Sequence, residues 1–202
     1  MENLRQETVD TYNHSARAFA DYYKERGPRV TYINKAFEFA GNPGHAKVVE
    51  IGCGYGRDAE AIVARGASYL GIDMAEEFIK MARKNVPEAN FEVADAATFE
   101  YPPDLDIVFA FASLLHMDRV EVKTVLEKVQ KALNPGGVFY ISLKWQPRYE
   151  KKVQRDQFGT RIFYFYNAEL IQELAGDAYE TAATWRETHR GADWFEIALK
   201  KL

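Results

Sequence analysis

The fold of this chain is decided by Val48-Val49-Glu50-Ile51-Gly52-Cys53-Gly54-Tyr55-Gly56-Arg57-Asp58. An apolar run ends at an acidic residue, three glycines follow at alternate positions, and a charged pair then opens an amphipathic segment. This order is typical of a buried strand, a tight turn and a helix start, because glycine accepts positive φ and lets the backbone approach a ligand closely. The free N–H groups of such a helix start can hold a cofactor at the carboxyl end of the strand.

A second acidic residue supports a nucleoside-binding role for this region. Asp73 ends the next apolar strand, Tyr69-Leu70-Gly71-Ile72-Asp73, and lies 21 residues after Gly52. A carboxylate at this place suits a bidentate grip on a ribose diol. A G-x-G-x-G turn by itself is shared by several classes of nucleotide-binding fold, so the combination carries more weight than the turn.

Four motifs in this order resemble those of class I S-adenosylmethionine-dependent methyltransferases. They are Glu50-x-Gly52-Cys53-Gly54-x-Gly56, Gly71-Ile72-Asp73, Val93-Ala94-Asp95-Ala96 and Leu133-Asn134-Pro135-Gly136-Gly137, and they cover about residues 46 to 145. The resemblance implies a Rossmann-like α/β fold with a doubly wound seven-stranded sheet. That sheet would be mostly parallel with an antiparallel last strand, and an N-terminal helical lid would cover it.

We expect one methyltransferase domain over residues 1–202, because a chain of this length can bury a single sizeable core. Within it we expect a helical lid at 1–44 and a cofactor-binding core at 45–143. An insertion at 144–166 would hang over the acceptor site, and a helix and hairpin at 167–202 would close the sheet. The alternation of strand-like and helix-like segments in the core itself favours a parallel, doubly wound sheet.

The sequence around the insertion suggests a turn, a strand and a loop. Asn134-Pro135-Gly136-Gly137 predicts a turn before a fifth strand at Val138 to Leu143. Lys144 to Gly159 is polar and rich in Lys and Arg, which indicates a solvated basic loop, and the aromatic segment Arg161 to Tyr166 is strand-like.

Composition excludes several classes of partner. The net charge of −4 argues against a nonspecific nucleic-acid surface. The single cysteine, Cys53, excludes an internal disulfide and a cysteine-cluster metal site, and we expect no bound metal. The longest apolar stretch, Ile107 to Leu115, is too short to cross a membrane, and Met1 to Arg5 shows no secretory signal. We therefore expect a cytoplasmic monomer or homodimer with no membrane partner.

The resemblance implies S-adenosylmethionine as the cofactor and assigns its contacts by position. The glycine loop would pack against the homocysteine moiety, with Glu50 anchoring the loop. Asp73 would take the ribose hydroxyls, and Asp95 would accept from the adenine amino group. The residues assigned to the cofactor are Glu50, Gly52, Cys53, Gly54, Gly56, Asp73, Met74, Asp95, Ala96, Phe111, Ala112 and, from the lid, Tyr12.

His116 is the candidate general base. Methyl transfer from a sulfonium is an in-line displacement in which the protein aligns the acceptor and excludes water. A base is needed only where the acceptor must lose a proton. His116 follows the predicted fourth strand, and a histidine near this position faces the acceptor in many small-molecule methyltransferases. A lone histidine beside leucines is also a common core residue, so both interpretations stand, and His189 is a weaker candidate.

The predicted acceptor site combines three segments that are distant in sequence. Arg161 with nearby tyrosines could bind an anionic or planar acceptor. The N-terminal helix precedes the first strand, so it can cover the crevice at the carboxyl ends of the strands. The predicted wall consists of Tyr12, Phe19, Tyr22, His116, Arg161, Tyr164 and Tyr166.

The leading functional interpretation is methyl transfer to an O or N of a small molecule. One alternative is a methyltransferase acting on RNA or protein, with Lys144 to Arg155 as the contact surface. Another is a noncatalytic partner protein that binds S-adenosylmethionine. A nicotinamide-dependent enzyme is disfavoured by Glu50 before the glycine loop and by Asp95. The sequence does not identify the acceptor.

Overall fold

The structure, a computed structural model, describes residues 2–189 and 191–202. The strands are β1 (Lys47–Ile51), β2 (Ser68–Asp73), β3 (Asn90–Val93), β4 (Leu105–Phe111), β5 (Leu133–Lys144), β6 (Glu150–Asp156), β7 (Gly159–Phe165), β8 (Tyr179–His189) and β9 (Ala192–Lys201). The helices are α1 (Glu2–Tyr23), α2 (Val30–Phe39), α3 (Ala59–Val63), α4 (Glu76–Asn85), α5 (Arg119–Ala132) and α6 (Ala168–Ala175). Short 3₁₀ segments lie at Lys24–Arg26, Leu114–His116 and Gly176–Ala178.

The predicted seven-stranded sheet is confirmed, with the order β3-β2-β1-β4-β5-β9-β8. Strands β1 to β5 run parallel, and β9 runs antiparallel to both of its neighbours, β5 and β8. Val48 of β1 lies beside Tyr69 on one side and Ile107 on the other, so the carboxyl ends of the three central strands meet at one edge. In a doubly wound sheet this edge is where ligands bind.

Two apolar layers cover the faces of the sheet. On one face Val49 packs with residues of α5 and α6, including Val122 and Ile171. On the other face Val48 packs with residues of α2, α3 and α4, including Ile33. Consecutive residues of β1 therefore face opposite cores, which explains its continuous apolar run, since a parallel strand buried on both faces shows no polar alternation.

The segment predicted as a solvated basic loop is instead a β-hairpin. Strand β6 pairs antiparallel with β7, from Glu150 opposite Phe165 to Asp156 opposite Gly159. Every residue of β6 is exposed, so its side chains show no apolar period. The prediction from the sequence was wrong because the backbone hydrogen bonds to β7 hold this strand, and no apolar alternation marks it.

The fifth strand also begins earlier than predicted. Leu133 already pairs with Leu105, and the register then shifts so that Val138 pairs with Ile107. The predicted turn at residues 134–137 is therefore an irregularity inside β5, because one strand carries extra residues between the two pairings. Helix α5 begins with a capping box, since the Asp118 carboxylate accepts from the N–H groups of Val120 and Glu121 and the Asp118 N–H donates to the Glu121 carboxylate.

Gly52 lies where the loop after β1 passes the loop after β4. Its φ is 70°, and a Cβ there would lie 2.2 Å from the Cβ of Ser113. Gly54 also has a positive φ, 55°, but a Cβ at that position would meet no atom within 4 Å. The first glycine is therefore required by contact between two loops, whereas the second faces open space.

We expect Gly52→Ala to destabilise the fold far more than Gly54→Ala. The second change introduces only left-handed strain, which costs about 1–2 kcal/mol. The first adds a steric overlap, which costs roughly a further 1–3 kcal/mol. Urea denaturation of both variants without ligand measures the difference, and equal losses of unfolding free energy would contradict the proposed contact between Gly52 and Ser113.

Candidate functional site

Two adjoining cavities open at the carboxyl edge of the sheet. The Asp73 cavity, of about 180 Å³, is lined by Arg5, Thr8, Val9, Tyr12, Ile51, Gly52, Gly54, Ile72, Asp73, Met74, Phe78, Ala94, Ala96, Ala112, Ser113, Leu114, His116 and Met117. The hairpin cavity, of about 320 Å³, is lined by Tyr12, Phe19, Tyr22, Tyr23, Arg26, Arg29, Glu50, Gly52, Cys53, Gly54, Tyr55, Arg57, Asp58, Phe78, Phe111, Ala112, Leu115, Lys144, Gln154, Asp156, Phe158, Arg161, Phe163 and Trp194. Tyr12 lines both cavities and therefore stands where they meet.

Asp73 ties the glycine loop to the start of α4. One carboxylate oxygen accepts from the Gly54 N–H at 3.0 Å and the other from the Ala75 N–H at 2.8 Å. Burial raises the pKa of Asp73 to about 6, and these backbone hydrogen bonds only partly oppose that rise. Each carboxylate oxygen keeps a second acceptor site, so the pair can still receive two hydroxyl hydrogens from a ligand.

Asp95 does not line either cavity, and its assigned contact with the adenine stays a prediction. Its carboxylate accepts from the Arg5 guanidinium at 2.7 Å and from the Ala97 N–H at 3.0 Å. Arg5 also pairs with Glu121 at 2.9 Å and itself lines the Asp73 cavity. Burial opposes ionisation of Asp95, but Arg5 and the backbone bond outweigh it and hold its pKa below the usual range. The lid helix thus engages this carboxylate, a contact between residues 90 positions apart.

The other cofactor assignments divide between the two cavities. Gly56 lines neither cavity. A Cβ at this position would lie 3.3 Å from side-chain atoms of Ala82 and Phe91, so the glycine allows α4 and β3 to pack closely. Glu50 is buried and accepts from the Tyr69 hydroxyl at 2.6 Å. Burial and the nearby Asp58 raise the pKa of Glu50 well above its usual value. The assigned residues that do line a cavity are Glu50, Gly52, Cys53, Gly54, Asp73, Met74, Ala96, Phe111, Ala112 and Tyr12, and their contacts with a cofactor stay predictions.

His116 is held in one tautomer. Its Nδ1 lies 2.5 Å from the Ile162 carbonyl, which can only accept, so Nδ1 carries the hydrogen. Its Nε2 then accepts from the Tyr12 hydroxyl at 2.8 Å. Burial lowers the pKa of His116 to about 3 and raises that of Tyr12 to about 12. The basic nitrogen is therefore bonded to Tyr12, and a general-base role for His116, which stays a prediction, would act through that hydroxyl.

Arg161 reaches the hairpin cavity as predicted from the sequence. Its guanidinium is buried, pairs with Asp156, and lies 4.9 Å from the ring centre of Phe19 and 5.3 Å from that of Phe163. Tyr22 also lines this cavity, and 46% of its surface is exposed.

Tyr164 and Tyr166 do not line either cavity, so the structure does not bring them together with Arg161 there. Tyr164 stacks on Tyr149 with ring centres 5.9 Å apart, and the Tyr166 hydroxyl donates to the Met117 carbonyl at 2.7 Å. Side chains alternate along a strand, so Tyr164 and Tyr166, three and five positions after Arg161, face the opposite side. Phe163 shares the face of Arg161 and takes the predicted place of the tyrosines.

The sequence interpretation missed the cations that line the hairpin cavity beside Arg161. Arg29 Nη1 lies 2.5 Å from Asp58 Oδ2, and Arg57 Nη2 lies 3.5 Å from the same oxygen. Lys144 Nζ lies 3.8 Å from the ring centre of Phe163. Lys144 is the last residue of β5 and Arg57 ends the glycine loop after β1, which could have identified them, whereas nothing local marks Arg29.

Unpaired polar atoms concentrate on the two cavities. Six buried side-chain atoms of the described residues have no hydrogen-bond partner. Four of them, Tyr55 Oη, Arg57 Nε, Ser113 Oγ and Arg161 Nε, belong to residues that line a cavity, and the other two are Tyr140 Oη and Glu196 Oε2. Buried polar groups are normally satisfied, so unpaired ones on a cavity wall are suited to contact a ligand.

Residues 2–189 and 191–202 contain no cluster of acidic, histidine or cysteine side chains suited to a metal ion, and none of their helices is long and apolar enough to cross a membrane. The side chain of His189 lies outside the described residues.

Comparison with known proteins confirms the resemblance for the core of the chain. Residues 48–137 match a family model described as a methyltransferase domain. A ubiquinone biosynthesis O-methyltransferase of Stutzerimonas stutzeri is 32% identical over 127 residues, which are 59% of this chain and 52% of that protein. The chain spans about half the length of this and several other curated relatives.

Solved structures share the fold at low sequence identity. The 1,6-didemethyltoxoflavin-N1-methyltransferase of Burkholderia thailandensis, with its acceptor and S-adenosylhomocysteine bound, matches with a TM-score of 0.75 at 16% identity. That match covers 96% of this chain and 86% of the other. The magnesium protoporphyrin IX methyltransferase of Synechocystis PCC 6803 matches with a TM-score of 0.74 at 15% identity, over 98% of this chain and 99% of the other.

We expect the His116 ring to stay neutral, with Nδ1 protonated, between about pH 5 and pH 8, because burial holds its pKa near 3. Long-range ¹⁵N–¹H NMR of the imidazole measures both nitrogens directly. In the Tyr12→Phe variant, Nε2 loses its donor, so its ¹⁵N resonance is expected to shift while Nδ1 stays protonated. A ring that titrates at the ordinary histidine pKa of about 6.5 would contradict this arrangement.

Proposed function

Starting from a methyltransferase domain at residues 48–137, we propose that the chain is an S-adenosylmethionine-dependent methyltransferase that acts on an O or N of a small molecule. The observation that carries the proposal is the pair of adjoining cavities at the carboxyl edge of the sheet, which meet at Tyr12. One cavity suits a nucleoside and the other can admit a second molecule, as a transfer between two bound reactants requires.

The donor groups on the cavity walls fit S-adenosylmethionine. The Asp73 carboxylate, with its free acceptor sites, suits the ribose diol, and Met74 and Ala96 line the same cavity where the adenine would lie. Arg29 and Arg57 share one acidic partner, Asp58, and Arg57 Nε is buried without a partner. This excess of positive charge suits the carboxylate of the methionine moiety. When bound, the cofactor supplies an electrophilic methyl group on a sulfonium.

The chain itself aligns the acceptor and excludes water. Helix α1 covers the cavities, with Thr8 accepting from the Ile162 N–H at 3.0 Å and Thr11 donating to the Thr160 carbonyl at 2.7 Å. Tyr12 is fixed by its bond to His116 at the junction where the acceptor atom would face the methyl group. Where the acceptor must lose a proton, the Tyr12 hydroxyl can receive it while passing its own proton to His116 Nε2.

The buried walls of the hairpin cavity favour a small acceptor over a macromolecule. The hairpin cavity lies beneath α1 and β7, and its walls include the buried side chains of Phe19, Arg161 and Phe163. A protein or RNA chain would need an open groove to reach Tyr12. The names of the relatives support the same class, since one methylates in ubiquinone biosynthesis and another methylates a toxoflavin precursor.

We expect the purified protein to bind S-adenosylmethionine and S-adenosylhomocysteine with dissociation constants of about 1 μM, and NAD not detectably. Isothermal titration calorimetry with the three ligands is the direct measurement. NAD serves as the control because it shares the adenosine but lacks the amino-acid end that Arg29 and Arg57 would hold. Absence of binding by both sulfur ligands would remove the proposed function.

We expect the affinity for S-adenosylhomocysteine to fall as the pH drops below about 6, since burial raises the pKa of Asp73 to that value. The ionised carboxylate accepts from the ribose hydroxyls, so ligand binding favours the charged form, and protonation at lower pH weakens binding. The Asp73→Asn variant should bind more weakly by about 1–3 kcal/mol at neutral pH. Its affinity should also lose this pH dependence in calorimetry, and unchanged affinity in the variant would refute the ribose contact.

A further inference from the structure

We propose that the methyl acceptor is a small planar carboxylate, held by Lys144 and Arg161 in the hairpin cavity. This inference rests on the proposed methyltransferase function and specifies the chemical class of its acceptor. Both cations line the hairpin cavity together with Tyr12, at which the two cavities meet. An acceptor anchored there lies in the cavity that adjoins the proposed cofactor site.

Lys144 has no acidic partner among the described residues. Its ammonium lies 3.8 Å from the ring centre of Phe163 and 6.0 Å from that of Trp194, so it contacts aromatic faces. The side chain is partly buried at the end of β5, where water solvates it poorly. Burial and the nearby Arg161 lower the pKa of Lys144 to about 8, and Asp156 only partly opposes this. A partly buried ammonium without a counter-ion is a strong site for an anion.

Arg161 supplies a directional donor beside that charge. Only 6% of its surface is exposed, and Asp156 takes one of its terminal nitrogens. Its Nε is buried without a partner, which leaves a donor of the planar guanidinium for a ligand. Carboxylates accept from arginine through planar, charge-assisted hydrogen bonds, so this geometry discriminates in favour of a planar anion.

Four of the five Arg and Lys residues that line the hairpin cavity form two groups, each with one excess positive charge, and Arg26 adds a further positive charge. Near the glycine loop, Arg29 and Arg57 share Asp58. At the hairpin, Arg161 pairs directly with Asp156, whereas Lys144 makes no ion pair within the described part of the chain and interacts with Asp156 only at longer range. Arg26, which also lines the cavity, lies over the Tyr23 ring, and Glu50 is biased towards its neutral form by its raised pKa. (That ring lies 4.8 Å from the Arg26 guanidinium carbon.)

The cofactor would neutralise one of these groups and leave the other for the acceptor. Its methionine carboxylate fits the pair at the glycine loop, which is the part of the site proposed to hold the homocysteine moiety. The remaining group at the hairpin carries a single excess charge, which matches a monoanionic carboxylate better than a dianionic phosphate.

Aromatic walls indicate a flat acceptor body. The rings of Phe19 and Phe158 stack with centres 4.2 Å apart, and both line the hairpin cavity with Phe163. Flat apolar faces of this kind pack well against a planar ligand. The cavity of about 320 Å³ would also receive the methionine end of the cofactor, so the space that remains suits an acceptor with one ring or a conjugated acid of similar size.

The test compares two planar carboxylates with their neutral amides on the protein saturated with S-adenosylhomocysteine. The probes are benzoate with benzamide, and trans-cinnamate with cinnamamide, measured by ligand-observed NMR titration. We expect each carboxylate to bind about tenfold or more tightly than its amide, as charge-assisted hydrogen bonds predict. Lys144→Met should bring the two affinities close to parity, whereas Lys144→Arg, which keeps the charge, should retain the preference.

Lys151→Met is the matched control, because it removes the same charge from the exposed strand β6, outside both cavities. It should leave the preference for carboxylates unchanged. The inference is overturned if no carboxylate binds, if the amides bind equally well, or if the preference survives in Lys144→Met. Calorimetry with S-adenosylhomocysteine on the same samples separates the two proposals. Loss of cofactor binding in the unaltered protein defeats the proposed function, whereas cofactor binding without carboxylate preference defeats only this inference.

Discussion

The contact between the loops after β1 and β4 is the constraint on which the site depends. Strand β1 is buried on both faces between β2 and β4, so its chain can leave the sheet only at the carboxyl edge. There Gly52 passes Ser113 so closely that no side chain fits between them. The loop is then fastened by the hydrogen bond from the Gly54 N–H to Asp73. This arrangement leaves open space above Gly54, and both cavities border on it.

The roof of the site comes from two segments that are far apart in sequence and fasten to each other. Along one face of α1, Thr8, Thr11 and Ser15 recur at helical spacing. Their hydroxyls bond in turn to the backbone of Ile162, Thr160 and Phe158, which recur at strand spacing. These polar contacts accompany an apolar one, since the rings of Phe19 and Phe158 stack with centres 4.2 Å apart. The lid and the hairpin are therefore expected to respond together to whatever binds beneath them.

Burial sets the charge state of the groups around the cavities. It pushes Glu50 and His116 towards their neutral forms, and it raises the pKa of Asp73 and lowers that of Lys144. A buried polar group that lacks some of its hydrogen bonds stabilises a bound ligand more than an exposed group does, because folding has already removed its water. Burial of these ionisable groups favours ligand binding but lowers the stability of the fold. The sheet and its two apolar layers supply the compensating stability.

The sequence by itself determined the sheet, the glycine loop and the position of Asp73, because these follow from local patterns: apolar runs, turn residues and charges at strand ends. It also placed Arg161 and Tyr12 at the site by resemblance. It did not reveal β6, whose exposed side chains carry no apolar period, and it grouped Tyr164 and Tyr166 with Arg161 against the alternation of the strand.

Only the tertiary structure decided which partners the site residues have. Arg5 engages Asp95, Tyr12 engages His116, and Lys144 is left without an acidic partner among the described residues. The first two contacts join positions about 90 to 100 residues apart, and the third case depends on which groups surround Lys144. No local sequence pattern encodes such long-range relations. Burial and pairing, which fix the protonation of each group, arise only when distant segments pack together.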